Sequence, residues 1–278
     1  MTKQTALKNV IWAICIGLAL LALLIGLFIV AVEHYYGDRE RPVMNIGSTA
    51  AVSSAKASPD AVGAGQGTQA DGALHELKSS RDAGQSYLDS LCFLCDSSCA
   101  PLQNSGLVGG QVWLGEDRRL PMTTAFSWRI VFPTDGSVIT PDSAAMIVKP
   151  GILVIAVGSD DAGSISREDF IENYETLISS ILTASPGTRV ICGSLCSVTT
   201  AYAGDDGLTG ERAAELNDWI KQVCIDTGAY YADWSSALTG GGYLRPEYAE
   251  SNGRTLSAAG LNALLGWLRS HEIGRAHV

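Results

Sequence analysis

Histidine is scarce in this chain. Four occur in 278 residues, His34, His75, His271 and His277, and none stands beside a pair of cysteines. That argues against mixed cysteine–histidine zinc sites, whose ligands recur at short spacings. Basic residues are few as well: 19 Lys and Arg face 29 Asp and Glu, a formal net charge of −10. Lys3 and Lys8 precede residue 10 and no acid does, so the rest of the chain carries 17 − 29 = −12. Such a surface repels polyanions and excludes nucleic acid as a partner. Plain solubility accounts for the acid excess. No internal repeat is present.

Charge is absent altogether from Val10 to Val32, a stretch long enough to cross a bilayer as a helix. The basic residues before it and Glu33 after it keep residues 1–9 cytoplasmic and make 10–32 a single-pass anchor, with the remainder extracytoplasmic. A cleaved signal peptide competes with this reading, but its apolar core would be shorter and a small-x-small site would follow. From Gly47 to about Gly72 the chain is Ala, Gly, Ser and Thr without apolar period, so residues 33–86 read as a flexible spacer. Order is expected from Tyr87, and residues 87–271 form the folded domain. Ile273 to Val278 reads as translated sequencing-adapter DNA. Residues 272–278 are therefore set aside as a non-native tail, the natural end being lost after about His271.

Within the domain, Leu91–Cys95 and Ile152–Val157 are uniformly apolar, as strands buried on both faces should be. Arg189–Cys192 and Ala229–Ala232 are two more. Gln111–Leu114 and Ser127–Phe132 look like extended pieces of a hairpin or insertion. Asp142–Lys149 suits a short helix ended by Pro150. Ser166 and Asp169 form a capping box for a helix whose stripe is Phe170, Tyr174, Leu177, Ile178, Ile181 and Leu182. A further helix spans about Glu211 to Asp226 and stops at Gly228, and Ser257 opens the last one. Strands alternating with amphipathic helices mean a parallel sheet covered on both faces, with the site beyond the carboxyl ends of the strands.

Three blocks fall at that edge: Phe93-Leu94-Cys95-Asp96-Ser97, Gly158-Ser159-Asp160-Asp161, and Asn252-Gly253-Arg254-Thr255-Leu256-Ser257. Their order and spacing resemble the SGNH (GDSL-type) ester hydrolases, whose signatures read G-D-S, G-x-N-D and D-x-x-H. The resemblance covers roughly Tyr87 to His271. It implies an α/β, flavodoxin-like three-layer sandwich preceded by one transmembrane helix. It also implies ester hydrolysis, often on carbohydrate or cell-envelope esters, with no cofactor.

Carried over position by position, Ser97 is the candidate nucleophile, while the oxyanion asparagine has become Asp160, the orienting aspartate Asn252 and the general-base histidine Thr255. A serine without a base is a poor nucleophile. The chain therefore reads as a catalytically impaired member binding a ligand or partner in the old cleft. The alternative is an active esterase or deacylase using Ser97 and an unrecognised base. A second oxyanion donor is sought at Gly110 or Gly115. Asp96, Asp160 and Asp161 could attract Ca²⁺, but no regularly spaced oxygen ligands accompany them, so no metal is expected.

Six cysteines lie outside the anchor: Cys92, Cys95, Cys99, Cys192, Cys196 and Cys224. In an exported domain disulfides are the first expectation, ahead of buried thiols and zinc. Cys95 stands at the first-block glycine position, where a paired strand-end cysteine competes with a thiol nucleophile. Trp113 and Trp128 are candidates for a binding rim.

Overall fold

The computed structural model describes residues 71–274. The expected anchor at 10–32 lies outside them. Among the described residues no helix is long and apolar enough to cross a membrane.

Five strands form the centre: β2 (Leu91–Cys95), β3 (Val112–Gly115), β6 (Ile152–Ala156), β7 (Arg189–Gly193) and β8 (Tyr230–Ala232). They pair parallel in the spatial order β8-β7-β6-β2-β3. That is the 2-1-3-4-5 order of flavodoxin-like sheets, which places a ligand crevice beside the first strand, here β2. Cys95 pairs with Ala156 in a ladder starting at Leu91 and Ile152, so the two strands end level.

Two departures from the sequence reading occur at the edges. Val112–Gly115 joins the main sheet rather than an insertion, and only β4 (Ile130–Val131) and β5 (Val138–Ile139) extend it antiparallel. On the other side, β1 (His75–Glu76) pairs parallel with β8, and helix α1 (Gly84–Asp89) precedes β2. The end of the expected 33–86 spacer is thus part of the fold. Two residues give no readable period, which is why β1 escapes the sequence. At the far end Ile273 is buried and its amide donates to the Tyr87 hydroxyl, so the segment set aside as tail also packs in part.

Side chains alternate along each strand and feed two cores. Cys92, Leu94, Leu153, Ile155, Val190 and Tyr231 face one layer, with α3 (Arg167–Ala184) and α4 (Gly210–Thr227) over them. Leu91, Phe93, Val154, Ile191 and Ala232 face the other, covered by α1 and α6 (Ala258–Arg269). The helix ends follow the expected chemistry. Ser166 accepts from the Asp169 amide, Thr209 from Arg212 and Ser257 from Gly260, each cap contributing about 1 kcal/mol. Gly228 closes α4 at φ 74°, a left-handed turn that a side chain would strain. The short α2 (Pro141–Val148) ends one residue before Pro150, at left-handed Lys149. A single-turn α5 (Ser235–Leu238), the hairpin β9 (Thr239–Gly240) with β10 (Tyr243–Leu244), and a 3-10 turn at Pro246–Tyr248 lead into α6.

Trp113 and Trp128 are 0% and 4% exposed, so neither forms a rim. Each indole nitrogen finds a partner inside, Gln111 Oε1 at 2.9 Å and the Pro121 carbonyl at 2.8 Å. The expected disulfides are absent among the described residues, where all six cysteines are free thiols. Cys192 and Cys196, three residues between them, belong to opposite cores: Cys192 lies in β7, and Cys196 in the segment that follows the strand's end at Gly193. The thiols serve as small apolar fillers.

Candidate functional site

The carboxyl ends of β2 and β6 build the site. The Asp96 amide continues the ladder to the Ala156 carbonyl at 3.0 Å, and the chain then turns through Ser97. Opposite, Gly158 adopts φ +119°, where a side chain would be strained and would meet the Phe170 ring. That turn aims Ser159 and Asp160 back at the first block.

Asp96 is fully buried and holds both turns. Its Oδ1 accepts from the Ser98 amide at 3.0 Å and the Ser98 hydroxyl at 2.6 Å, and its Oδ2 from the Ser159 amide at 2.8 Å. Its role is structural, with both oxygens engaged inside the protein.

Asp160 is the centre of the constellation. The Ser97 hydroxyl donates to Asp160 Oδ1 in a short hydrogen bond. Asp160 Oδ2 accepts from the Leu120 amide at 2.7 Å and, more loosely, from the Ser97 amide at 3.4 Å. Two backbone N–H groups from separate segments therefore converge on one oxygen, the arrangement that holds an oxyanion in acyl transfer. Here the protein's own carboxylate occupies it. Neither glycine considered for the second donor is needed. Gly110 and Gly115 are small because a backbone carbonyl, of Leu91 and of Arg119, stands where Cβ would be.

Two guanidinium groups flank the carboxylate. Arg254 Nη2 lies 3.3 Å from Asp160 Oδ1 and donates to the Ser159 carbonyl at 2.7 Å, while its Nη1 pairs with Asp206 at 2.7 Å. Arg119 Nε is 3.9 Å from Asp160 Oδ1, and its Nη2 donates to the Asp160 carbonyl at 2.8 Å. Burial and the neighbouring Asp96 push the Asp160 carboxyl up to about 6, against the lowering pull of Ser97, Leu120 and Arg254. Asp161 is turned away, accepting from the Met122 and Thr123 amides at 3.0 and 2.7 Å.

The last block reaches the site through its backbone and Arg254. The Leu256 amide donates to the Ser98 carbonyl at 2.9 Å, which docks this loop on the first block. Asn252 and Thr255 bond to each other, amide Nδ2 to hydroxyl at 3.0 Å, and Asn252 Oδ1 accepts from the Arg254 and Thr255 amides. The four expected positions thus divide into two bonded pairs, Ser97 with Asp160 and Asn252 with Thr255. Arg254 joins the corner and the loop. Sequence reasoning missed Arg254 because it occupies a variable position of D-x-x-H, and Leu120 because a backbone donor leaves no mark in the side-chain pattern.

No imidazole serves Ser97 among the described residues. His75 pairs with Asp71 at 3.0 Å beside the β1 edge, and His271 stacks on Trp267 at the end of α6. The Cys95 thiol is no substitute nucleophile. It is wholly buried, and burial holds it, like Cys99 at about 12, in the protonated form.

Comparison with known proteins agrees with this layout. The GDSL-like lipase/acylhydrolase family pattern matches residues 115–263, more than half of the chain. No curated protein matches the sequence significantly. Among solved structures, a protein provisionally named a platelet activating factor from Streptococcus pneumonia aligns at 19% identity with a TM-score of 0.50, over 65% of this chain and 82% of its own. A protein provisionally named an acylhydrolase, from Bacteroides fragilis NCTC 9343, aligns at 14% identity with a TM-score of 0.47, over 70% of this chain and 89% of its own. With the parallel sheet, the Ser97 turn and the docked last block already in place, the chain belongs to the GDSL-like lipase/acylhydrolase family.

Proposed function

We propose that this is a membrane-anchored GDSL-family domain that has lost ester turnover and holds a ligand in the ancestral cleft. The ligand class we infer is a carbohydrate or cell-envelope ester, outside the cytoplasm, with residues 10–32 as the anchor. One observation carries the loss of turnover: the position of the general base is Thr255, whose hydroxyl is engaged with Asn252. A threonine hydroxyl has no accessible basic form at neutral pH. The oxyanion position argues the same way, because an ester carbonyl must displace the Asp160 carboxylate from the Leu120 and Ser97 amides. A missing oxyanion donor alone costs about 100- to 1000-fold in turnover.

The test is hydrolysis of p-nitrophenyl acetate by the wild type and by Ser97→Ala. Both should run close to the uncatalysed rate, with little difference between them. Sustained, Ser97-dependent turnover by the unmodified protein would end this reading in favour of a working esterase.

A further inference from the structure

The geometry points to Asp160 as the proton acceptor of Ser97, a serine–carboxylate pair that leaves the hydroxyl able to react once with an activated acyl or phosphonyl donor. This rests on the reading that turnover is lost, and adds to it a residual chemistry of the same site.

Three features support the pair. The Ser97 hydroxyl already donates to Asp160 Oδ1, so the proton has a path. The Leu120 amide holds the other oxygen, Oδ2, which leaves Oδ1 toward the serine, where Arg254 Nη2 also lies at 3.3 Å. Finally, burial first and the nearby Asp96 second favour the neutral form of this carboxyl, against the pull of Arg254. Asp96 faces it from the end of β2, Arg119 from the segment after β3, and Arg254 from the last block with Asp206 behind it. Asp161, next in the chain, spends its charge on two amides. The balance raises Asp160 to about 6, closer to neutral pH than an ordinary carboxylate and so a better base.

The step balances with a fluorophosphonate as donor. Ser97 Oγ forms a bond to phosphorus as its proton moves to Asp160, and the P–F bond breaks to release fluoride. Asp160 then returns the proton to solvent. While Asp160 is neutral, the guanidiniums of Arg119 and Arg254 are left to face the negative oxygens of the reacting centre. That is the electrostatic task the lost asparagine performed.

A fluorophosphonate probe on the full chain, followed by intact-mass and peptide mapping, tests this. The expected result is one adduct, on Ser97, absent in Ser97→Ala, forming at a rate that climbs as pH rises through about 6. Asp160→Asn is the deciding variant because it removes the base while restoring the family's oxyanion amide. It should slow labelling by about 100-fold or more. Labelling of Asp160→Asn as fast as wild type, or faster, overturns the pair. So does an adduct that persists in Ser97→Ala. Should Asp160→Asn fail to fold, a wild-type rate flat between about pH 4.5 and 7.5 overturns the pair by itself. Failure here is distinct from failure of the functional reading. Sustained ester turnover removes that reading and leaves the pair standing, whereas an unreactive Ser97 removes the pair and leaves the reading.

Discussion

The two halves of the old catalytic apparatus have met different fates. Around Ser97, the carboxylates of Asp96 and Asp160 are buried and each accepts from separate chain segments. Around Thr255, the side chains of Asn252 and Thr255 bond only within residues 252–255, with Asn252 exposed and Thr255 half-buried. The first corner is part of the core, and Asp96, which ties its two turns together, changes only at the cost of the fold. The second is a surface turn whose catalytic side chains held up little else. A side-chain change at position 252 or 255 is therefore tolerable to the structure, whereas one at Asp96 is not.

The largest test of that contrast is restoration. Thr255→His alone should gain no turnover, since the imidazole would lack its carboxylate and still face an occupied oxyanion position. The triple change Asp160→Asn, Asn252→Asp and Thr255→His should raise p-nitrophenyl acetate turnover by roughly 1000-fold or more, because triad members act as a unit. If the triple variant folds and stays inert, the last block does not sit where the hydrolase geometry needs it.

Stability should separate the halves next. Asp96→Ala strands the Ser98 and Ser159 amides in a buried site, at about 1–3 kcal/mol for each unsatisfied group. Asn252→Ala removes an exposed turn acceptor and should cost about 1 kcal/mol or less. Urea melts decide it, and equal losses would erase the distinction.

The smallest effect concerns Asp160 itself. Its folded value of about 6 stands above the ordinary 3.8, so the folded state holds the proton more tightly than the unfolded chain. The stability this contributes is complete below about 3.8 and is lost as pH rises through about 6. The wild type should therefore lose on the order of 2 kcal/mol more than Asp160→Asn between about pH 4 and 7, read from urea midpoints. Matching profiles would mean that Asp160 titrates normally.

Much of this frame was legible before any coordinates. Leu91–Cys95 and Ile152–Val157 announced themselves because burial on both faces removes polar residues, and the Ser166, Ser257 and Gly228 helix ends rest on local bonds within a few residues. The three blocks were legible as well, since each is a contiguous turn at a strand or helix end. What could not be read was the partner across space. Arg254 meets Asp160 over 94 residues of sequence and Asp206 over 48, and no period or spacing encodes either contact. The tryptophans misled for a related reason. Trp113 and Trp128 sit in short segments that read in sequence as pieces of a hairpin or insertion, yet their side chains belong to the core shared with α2 and α3.

Among the described residues, the sheet ends on both sides in strands only two residues long, His75–Glu76 and Val138–Ile139. A longer bare edge would present a row of free N–H and C=O groups, a template for another chain to add a strand. These stubs offer too short a register for that. At high concentration, copies of the domain should stand close together without their sheets joining into a continuous aggregate.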